Sequence, residues 1–182
     1  MFKTLPLLAA LALTTTAAFA ADNPMVGGAA MFADKNIVEN AVNSADHTTL
    51  VAAVQAAGLV ETLQGPGPFT VFAPTNDAFA ALPAGAVDDL LKPENKDQLI
   101  KVLTCHVVGA EVFSDALAKM IADDQGAHAV PTLGGCTLTA TMEDGQIRLA
   151  GEQGTIATVT IADVDQSNGV IHVIDRVLLP AM

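Results

Sequence analysis

The chain has no tryptophan and no tyrosine, two cysteines, and only 8 basic side chains against 20 acidic ones among its 182 residues. With five of its seven phenylalanines after residue 20 and no other aromatic ring beside them, it offers few flat surfaces on which sugars or bases could stack. The shortage of Lys and Arg leaves a net charge of −12, which repels nucleic acid and anionic membranes. Catalytic motifs are missing as well: there is no Gly-x-Ser-x-Gly elbow, no Walker-type phosphate loop, no dinucleotide fingerprint and no His-Glu-x-x-His. His47, His106, His128 and His172 are scattered without ligand spacing, so neither a metal nor a cofactor is expected. Asp163-x-Asp165-x-Ser167 begins like a calcium loop, but Asn168 stands where the turn glycine belongs and Ile174 where the closing Glu should be. The adjacent acids Asp88-Asp89 and Asp123-Asp124 read as solvated surface charge and not as paired catalytic carboxylates. The chain is therefore not expected to be an enzyme.

What is present begins with an export signal. Lys3 gives a positive start, Leu5 to Leu13 is an apolar run broken only by Pro6, and Ala18-Phe19-Ala20 has the small-x-small cleavage pattern, which marks residues 1–20 as a signal peptide. The run is about half the ~20 apolar residues that a membrane span requires. No cysteine follows the expected cleavage site to take a lipid, and Val177-Leu178-Leu179-Pro180 is too short to anchor. The mature chain is expected to be soluble, periplasmic or secreted, with no transmembrane span. Its 162 residues carry 7 basic and 20 acidic side chains, a net charge of −13, and suit a single core.

Residues 21–35, with Pro24, Gly27 and Gly28 and little apolar periodicity, read as an irregular lead-in, and the domain is expected over 36–182. Ile37, Val38, Ala41 and Val42 recur at helical spacing. A second helix, capped by Thr48 or Thr49 and ended by Gly58, carries Leu50, Val51, Val54 and Ala57. Phe69-Thr70-Val71-Phe72 reads as a short strand, and Thr75-Asn76-Asp77 after Pro74 as a helix start. Further helices are expected over 86–91, from Pro93 onward with Leu99, Ile100 and Leu103 buried, and over 114–121. Four β segments follow, over 137–141, 146–150, 155–161 and 170–178, with Asp144-Gly145 and Asn168-Gly169 as hairpin dipeptides. Helices first and hairpins last predict an α+β domain, not a βαβ array.

Two stretches carry a resemblance. The run from Thr70 through Val71, Phe72, Ala73, Pro74, Thr75, Asn76, Asp77 and Ala78 to Phe79 resembles the first signature of fasciclin domains, and Asn168-Gly169-Val170-Ile171-His172-Val173-Ile174-Asp175-Arg176-Val177-Leu178-Leu179-Pro180 resembles the second. Between them, Leu103-Thr104-Cys105-His106-Val107-Val108 sits where the family usually has a Tyr-His pair, with Cys105 in place of the Tyr. The resemblance covers about residues 36–180 and implies a β-wedge of short strands with several packed helices. It also implies an adhesive role placed in Thr75, Asn76, Asp77, His106, Val107 and Val108. The departure at Cys105 puts any role of a phenol there in doubt. His172 and Asp175 belong to the second signature; His172, among apolar strand neighbours, is expected to be a hydrogen-bonded core histidine, and Asp77 a candidate helix cap.

The function expected is thus an exported binding or adhesion module that meets a cell-surface or matrix macromolecule, one carrying Lys or Arg given the charge of this chain. The alternative is a periplasmic carrier of a small apolar ligand or lipid, hinted at by Met25, Met31, Met120 and Met142 in an aliphatic chain, although such methionines commonly fill gaps. Export into an oxidising compartment favours a Cys105–Cys136 disulfide, against a pair of separate buried thiols.

Overall fold

The computed structural model describes residues 23–181, so the expected signal peptide lies outside the described residues. The described part of the lead-in is turn and coil around one small hairpin. Met25–Val26 (β1) pairs with Ala29–Ala30 (β2) in a small antiparallel hairpin. Val26 and Met31 are buried in the core, so the apolar interior begins ahead of Asn36. Two-residue strands are too short to show the alternation by which a strand is recognised.

The helices follow local chemistry closely. Helix α1 (Ile37–Ala41) opens on a full capping box, in which Asn36 Oδ1 accepts from the amides of Val38 and Glu39 while the Glu39 carboxylate accepts the Asn36 amide. Helix α2 (Thr48–Ala57) ends on Gly58 in the left-handed conformation. Its start differs from the expected threonine cap: a 3₁₀ turn over Ala45–His47 feeds it, and the Thr48 hydroxyl turns away to Asn76. Helix α3 (Val60–Leu63), strand β3 (Phe69–Pro74), helix α4 (Asn76–Ala80) and helix α5 (Ala86–Leu90) come next. Pro93 begins a 3₁₀ turn that leads into α6 (Lys96–Thr104), whose buried side is Leu99, Val102 and Leu103. Strand β4 (Val107–Val108) and helix α7 (Ser114–Asp123) complete this half.

The remaining strands are β5 (Ala127–Pro131), β6 (Thr137–Glu143), β7 (Gln146–Ala150), β8 (Ile156–Gln166) and β9 (Gly169–Ile174). Strand β5 escapes the sequence pattern because only Val130 of its five residues is buried. The seven-stranded sheet runs β4-β3-β9-β8-β7-β6-β5 and is antiparallel except where β3 lies parallel to β9. Asp144 and Gly145 both take positive φ, as the hairpin dipeptide predicts. The turn between β8 and β9 differs: Gln166 pairs with Gly169, so its centre is Ser167-Asn168, one residue earlier than the Asn-Gly pair, and Asn168 has no positive φ.

The sheet curls until its edges approach. Beyond β5, the Leu133 amide donates to the Val107 carbonyl at 2.8 Å and the Gly134 amide to Thr104 at 3.0 Å. Across this seam Cys105 and Cys136 form a disulfide, with their Cα atoms 5.4 Å apart. Gly134 permits the approach, since a Cβ there would lie 2.8 Å from Cys105 Sγ. Two cores result. One fills the curled sheet, with Leu138, Leu149 and Ile174 packed beneath Leu117 and Ile121 of α7. The other lies between the outer face of β3 and β9 and the helices, around Leu50, Leu99, Leu103, Val71 and Ile171. The α+β class follows, with helices on one side of a curled sheet and one helix in its mouth.

Candidate functional site

The two signature stretches are a hundred residues apart in sequence and adjacent in space. The parallel pairing of β3 with β9 sets Phe69 beside Gly169, Phe72 beside His172 and Pro74 beside Ile174. Gly169 is required at the first of these, because a Cβ there would lie 2.0 Å from the Phe69 carbonyl oxygen. Its neighbour Asn168 ties three segments together: its Oδ1 accepts the Ile37 amide at 3.0 Å, and its Nδ2 donates to the carbonyls of Leu63 at 2.8 Å and Gly65 at 2.9 Å. The sequence reading placed Asn168 in a turn and missed this role; its place at the head of the second signature is the one sequence signal that pointed to it, and its burial appears only in the structure.

Each histidine of interest is locked by backbone. The His106 ring is 2 % exposed, donates through Nδ1 to the Val102 carbonyl at 2.8 Å and accepts the Leu178 amide at Nε2 at 2.9 Å. Burial pushes its pKa down to about 4 against the smaller opposing effect of the Val102 carbonyl, so the ring is neutral at neutral pH. His172 stacks on Phe72 with ring centroids 5.7 Å apart, accepts the Asp163 amide at Nδ1 at 3.2 Å and donates through Nε2 to the Val112 carbonyl at 2.8 Å. Burial lowers its pKa too, offset in part by the Val112 carbonyl and the Asp163 carboxylate. His172 is a hydrogen-bonded core residue. Asp175 is a brace, its carboxylate accepting the Thr158 amide at 2.7 Å.

The expected contact residues divide. His106, Val107 and Val108 are buried and offer no face to a partner. Successive strand residues point to opposite sides, and because both sides of β4 are covered, Val107 enters one core and Val108 the other. Thr75, Asn76 and Asp77 do reach the surface. Thr75 is the cap of α4, its hydroxyl accepting the Ala78 amide at 3.3 Å, whereas Asp77 is exposed in the first turn and caps nothing. Asn76 bridges two helix starts: Oδ1 accepts the Thr49 amide at 3.0 Å and the Thr48 hydroxyl at 3.2 Å, and Nδ2 donates to the Ala45 carbonyl at 2.8 Å. The result is a braced corner that exposes Asp46, Thr48 and Asp77.

Other chemistry is sparse. Among the described residues no three His, Cys, Asp or Glu side chains converge in a way that could hold a metal ion. No described helix is long and apolar enough to cross a membrane. An apolar cleft among α1, α2 and α3 has a volume of about 50 Å³. A wider open groove of about 500 Å³ lies between α5, α6 and the C-terminal segment at Leu179 and Pro180.

This curled sheet with its helical cover is a fasciclin-type fold. It overlays a FAS1 domain pair from the insect cell adhesion molecule Fasciclin I with a TM-score of 0.71 at 19 % identity, over 80 % of this chain and 51 % of that one. That likeness establishes the fold alone. The family model of the fasciclin domain matches residues 45–180, and the chain belongs to that family. It is 52 % identical over 158 residues to Protein sll1483 of Synechocystis sp., covering 87 % of this chain and 81 % of that protein. It is 34 % identical over 145 residues to Immunogenic protein MPT70 of Mycobacterium tuberculosis, covering 77 % and 66 %. Against the transforming growth factor-beta-induced protein ig-h3 of Sus scrofa the identity is 37 % over 131 residues, 72 % of this chain but 17 % of that much longer one.

Proposed function

We propose that the chain is an exported, non-catalytic binding module that attaches to a cell-surface or matrix macromolecule through the corner formed by Thr75, Asn76 and Asp77 with Asp46 and Thr48. The observation that carries this reading is the bridge made by Asn76. It spends a polar side chain on fixing the starts of α2 and α4 against each other, which holds the neighbouring carboxylates of Asp46 and Asp77 on a rigid exposed base. A partner with a Lys- or Arg-bearing surface suits these acids and the acidic chain as a whole. Family membership supports attachment, as do an insect cell adhesion molecule of the same fold and the Cell surface glycolipoprotein MPB83 of Mycobacterium bovis, 33 % identical over 172 residues. A non-catalytic role agrees with His106 and His172, whose ring nitrogens are all committed to backbone groups. The alternative of a periplasmic carrier for a small apolar ligand or lipid finds less support, since the apolar cleft among the helices, about 50 Å³, is well below the ~150 Å³ cavity that takes benzene.

The test is attachment of purified protein to envelope fractions or cells, compared between wild type and the double charge reversal Asp46→Lys, Asp77→Lys. Both acids are exposed, so the melting temperature should hold while binding falls by an order of magnitude or more and the salt dependence of the wild type disappears. Unchanged attachment by the folded double variant would remove this corner from the interface.

A further inference from the structure

The mouth of the curled sheet is held shut from one point. Between β8 and β9 the ladder pairs Ile161 with Val173 and Val164 with Ile171, so Ala162 and Asp163 stand together opposite the single residue His172. This is a β-bulge, and Asp163 within it takes a positive φ of 57°. The bulge sends the Asp163 amide to Nδ1 of His172, at 3.2 Å, and its carboxylate to the start of α7, where Oδ1 accepts the Ser114 amide at 2.6 Å and Oδ2 accepts the Ser114 hydroxyl. Phe113, just ahead of the helix, gives no side-chain cap, so Asp163 caps α7 from strand β8. The same ring holds the approach to α7 through its other nitrogen. Nε2 donates to the Val112 carbonyl at 2.8 Å, while the Thr70 hydroxyl accepts the Val112 amide at 2.8 Å and donates to the Ala110 carbonyl at 2.6 Å. Only a neutral imidazole fits, with one nitrogen accepting and the other donating.

We propose that His172 and the bulge form an acid-operated latch on α7, in which a proton on Nδ1 drives off the Asp163 amide, undoes the cap at Ser114 and lets α7 and residues 109–113 lift from the sheet mouth while the rest of the domain stays folded. With both nitrogens protonated, Nδ1–H faces the Asp163 N–H, donor against donor. His172 is 1 % exposed, and strand β3 beside it carries no charged residue. Glu111 on the approach, Asp115 in α7 and Asp165 on β8 are exposed, and the carboxylate that acts on the ring is that of Asp163. Turning this carboxylate towards the imidazolium takes it away from Ser114, so either response undoes the cap. Burial holds the pKa of the ring below its ordinary 6.5, against the opposing effects of the Val112 carbonyl and Asp163. The opened state therefore takes the proton first, and the latch is complete above pH 6.5 and weakens as the pH falls. Opening uncovers aliphatic surface, since Leu117 and Ile121 come away from Leu138, Leu149 and Ile174. The latch is separate from the corner at Asn76 and stands whether or not that corner binds.

Amide hydrogen exchange, followed by NMR at pH 7 and pH 5 and corrected for the intrinsic effect of pH, tests the latch. The amides of Leu117 to Ile121 should exchange faster than those of Ile171 and Val173 at both pH values, and with a weaker dependence on urea, the mark of an opening smaller than unfolding. From pH 7 to pH 5 that opening should grow roughly tenfold, and by no more than about 25-fold, the limit for one histidine with an ordinary pKa once opened. His172→Gln, which keeps a donor for Val112 but does not titrate, should abolish the growth. Asp163→Gly, suited to positive φ but without the carboxylate, should open α7 at least tenfold already at pH 7. If His172→Gln fails to fold, the wild-type comparison and Asp163→Gly decide. Exchange of α7 only together with β9, acid growth that persists in folded His172→Gln, or unchanged α7 rates in Asp163→Gly would each overturn the proposal.

Discussion

The two cores of this domain are built from similar aliphatic side chains and packed to different standards. Inside the curled sheet, Ala140, Leu149, Ala157 and Ile174 have no exposed surface at all, and α7 closes the mouth. Between the helices and the sheet exposure runs from none at Val164 to 8 % at Leu50 and Val54, and two small apolar voids, of about 50 and 30 Å³, lie there. The difference has a geometric cause. A curled sheet brings every inward side chain onto one axis, whereas helices as short as α1, with five residues, and α3, with four, present one turn each and leave gaps where they meet.

The contrast can be broken by mutation. Leu149→Ala in the tight core should cost about 4 kcal/mol, near the upper end for such truncations, while Leu50→Ala beside an existing cavity should cost about 2 kcal/mol. Urea unfolding measures both, and equal losses would show that the two cores are packed alike. Opening the Cys105–Cys136 disulfide acts at the seam of the curled sheet. With the cysteines 31 positions apart, the chain-entropy model gives a loss of roughly 3 to 4 kcal/mol on reduction. Unfolding with and without dithiothreitol checks this, and titration of the denatured, unreduced protein should find no free thiol.

Acid should weaken both cores through their histidines. The folded pKa of His106, about 4, lies below its ordinary value of 6.5, so the unfolded chain binds the proton first. The stability due to this ring is complete above pH 6.5 and is lost as the pH falls from 6.5 towards 4, by up to about 3 kcal/mol. His47 and His172 are shifted in the same direction and add to the loss. Urea midpoints at pH 7 and pH 4.5 read the total, and His106→Gln should lower stability at pH 7 while flattening the slope. The smallest effects fall at the α4 corner. Thr75→Ala removes a cap and should cost about 1 kcal/mol, and Asp77→Ala, exposed and capping nothing, under about 0.5 kcal/mol. Thermal melts separate the two; a larger loss for Asp77→Ala would return that residue to a folding role and take it out of the proposed contact face.

Local chemistry is what the sequence by itself determined. The glycine cap at Gly58, the helix start at Thr75-Asn76-Asp77, the Asp144-Gly145 turn, the α+β order of elements and the fasciclin signatures are all written in residues a few positions apart, where propensity and hydrogen-bond reach decide the outcome, although the cap proved to be Thr75 and not Asp77. The pairing of the two cysteines was favoured, over separate buried thiols, by their number and the expected export signal, and the structure joins them. Burial was not legible. Val107 and Val108 look like any exposed strand edge until the chain beyond β5 returns to cover them, and His106 looks available until Leu178, 72 positions away, donates to it. Asn168 and Asn76 read as turn and helix-start residues, yet their side chains serve segments up to 131 residues distant. Only the tertiary structure decides such matters. Whether a polar atom faces water, backbone or a cavity depends on which remote segments close around it, and no local pattern encodes that closure.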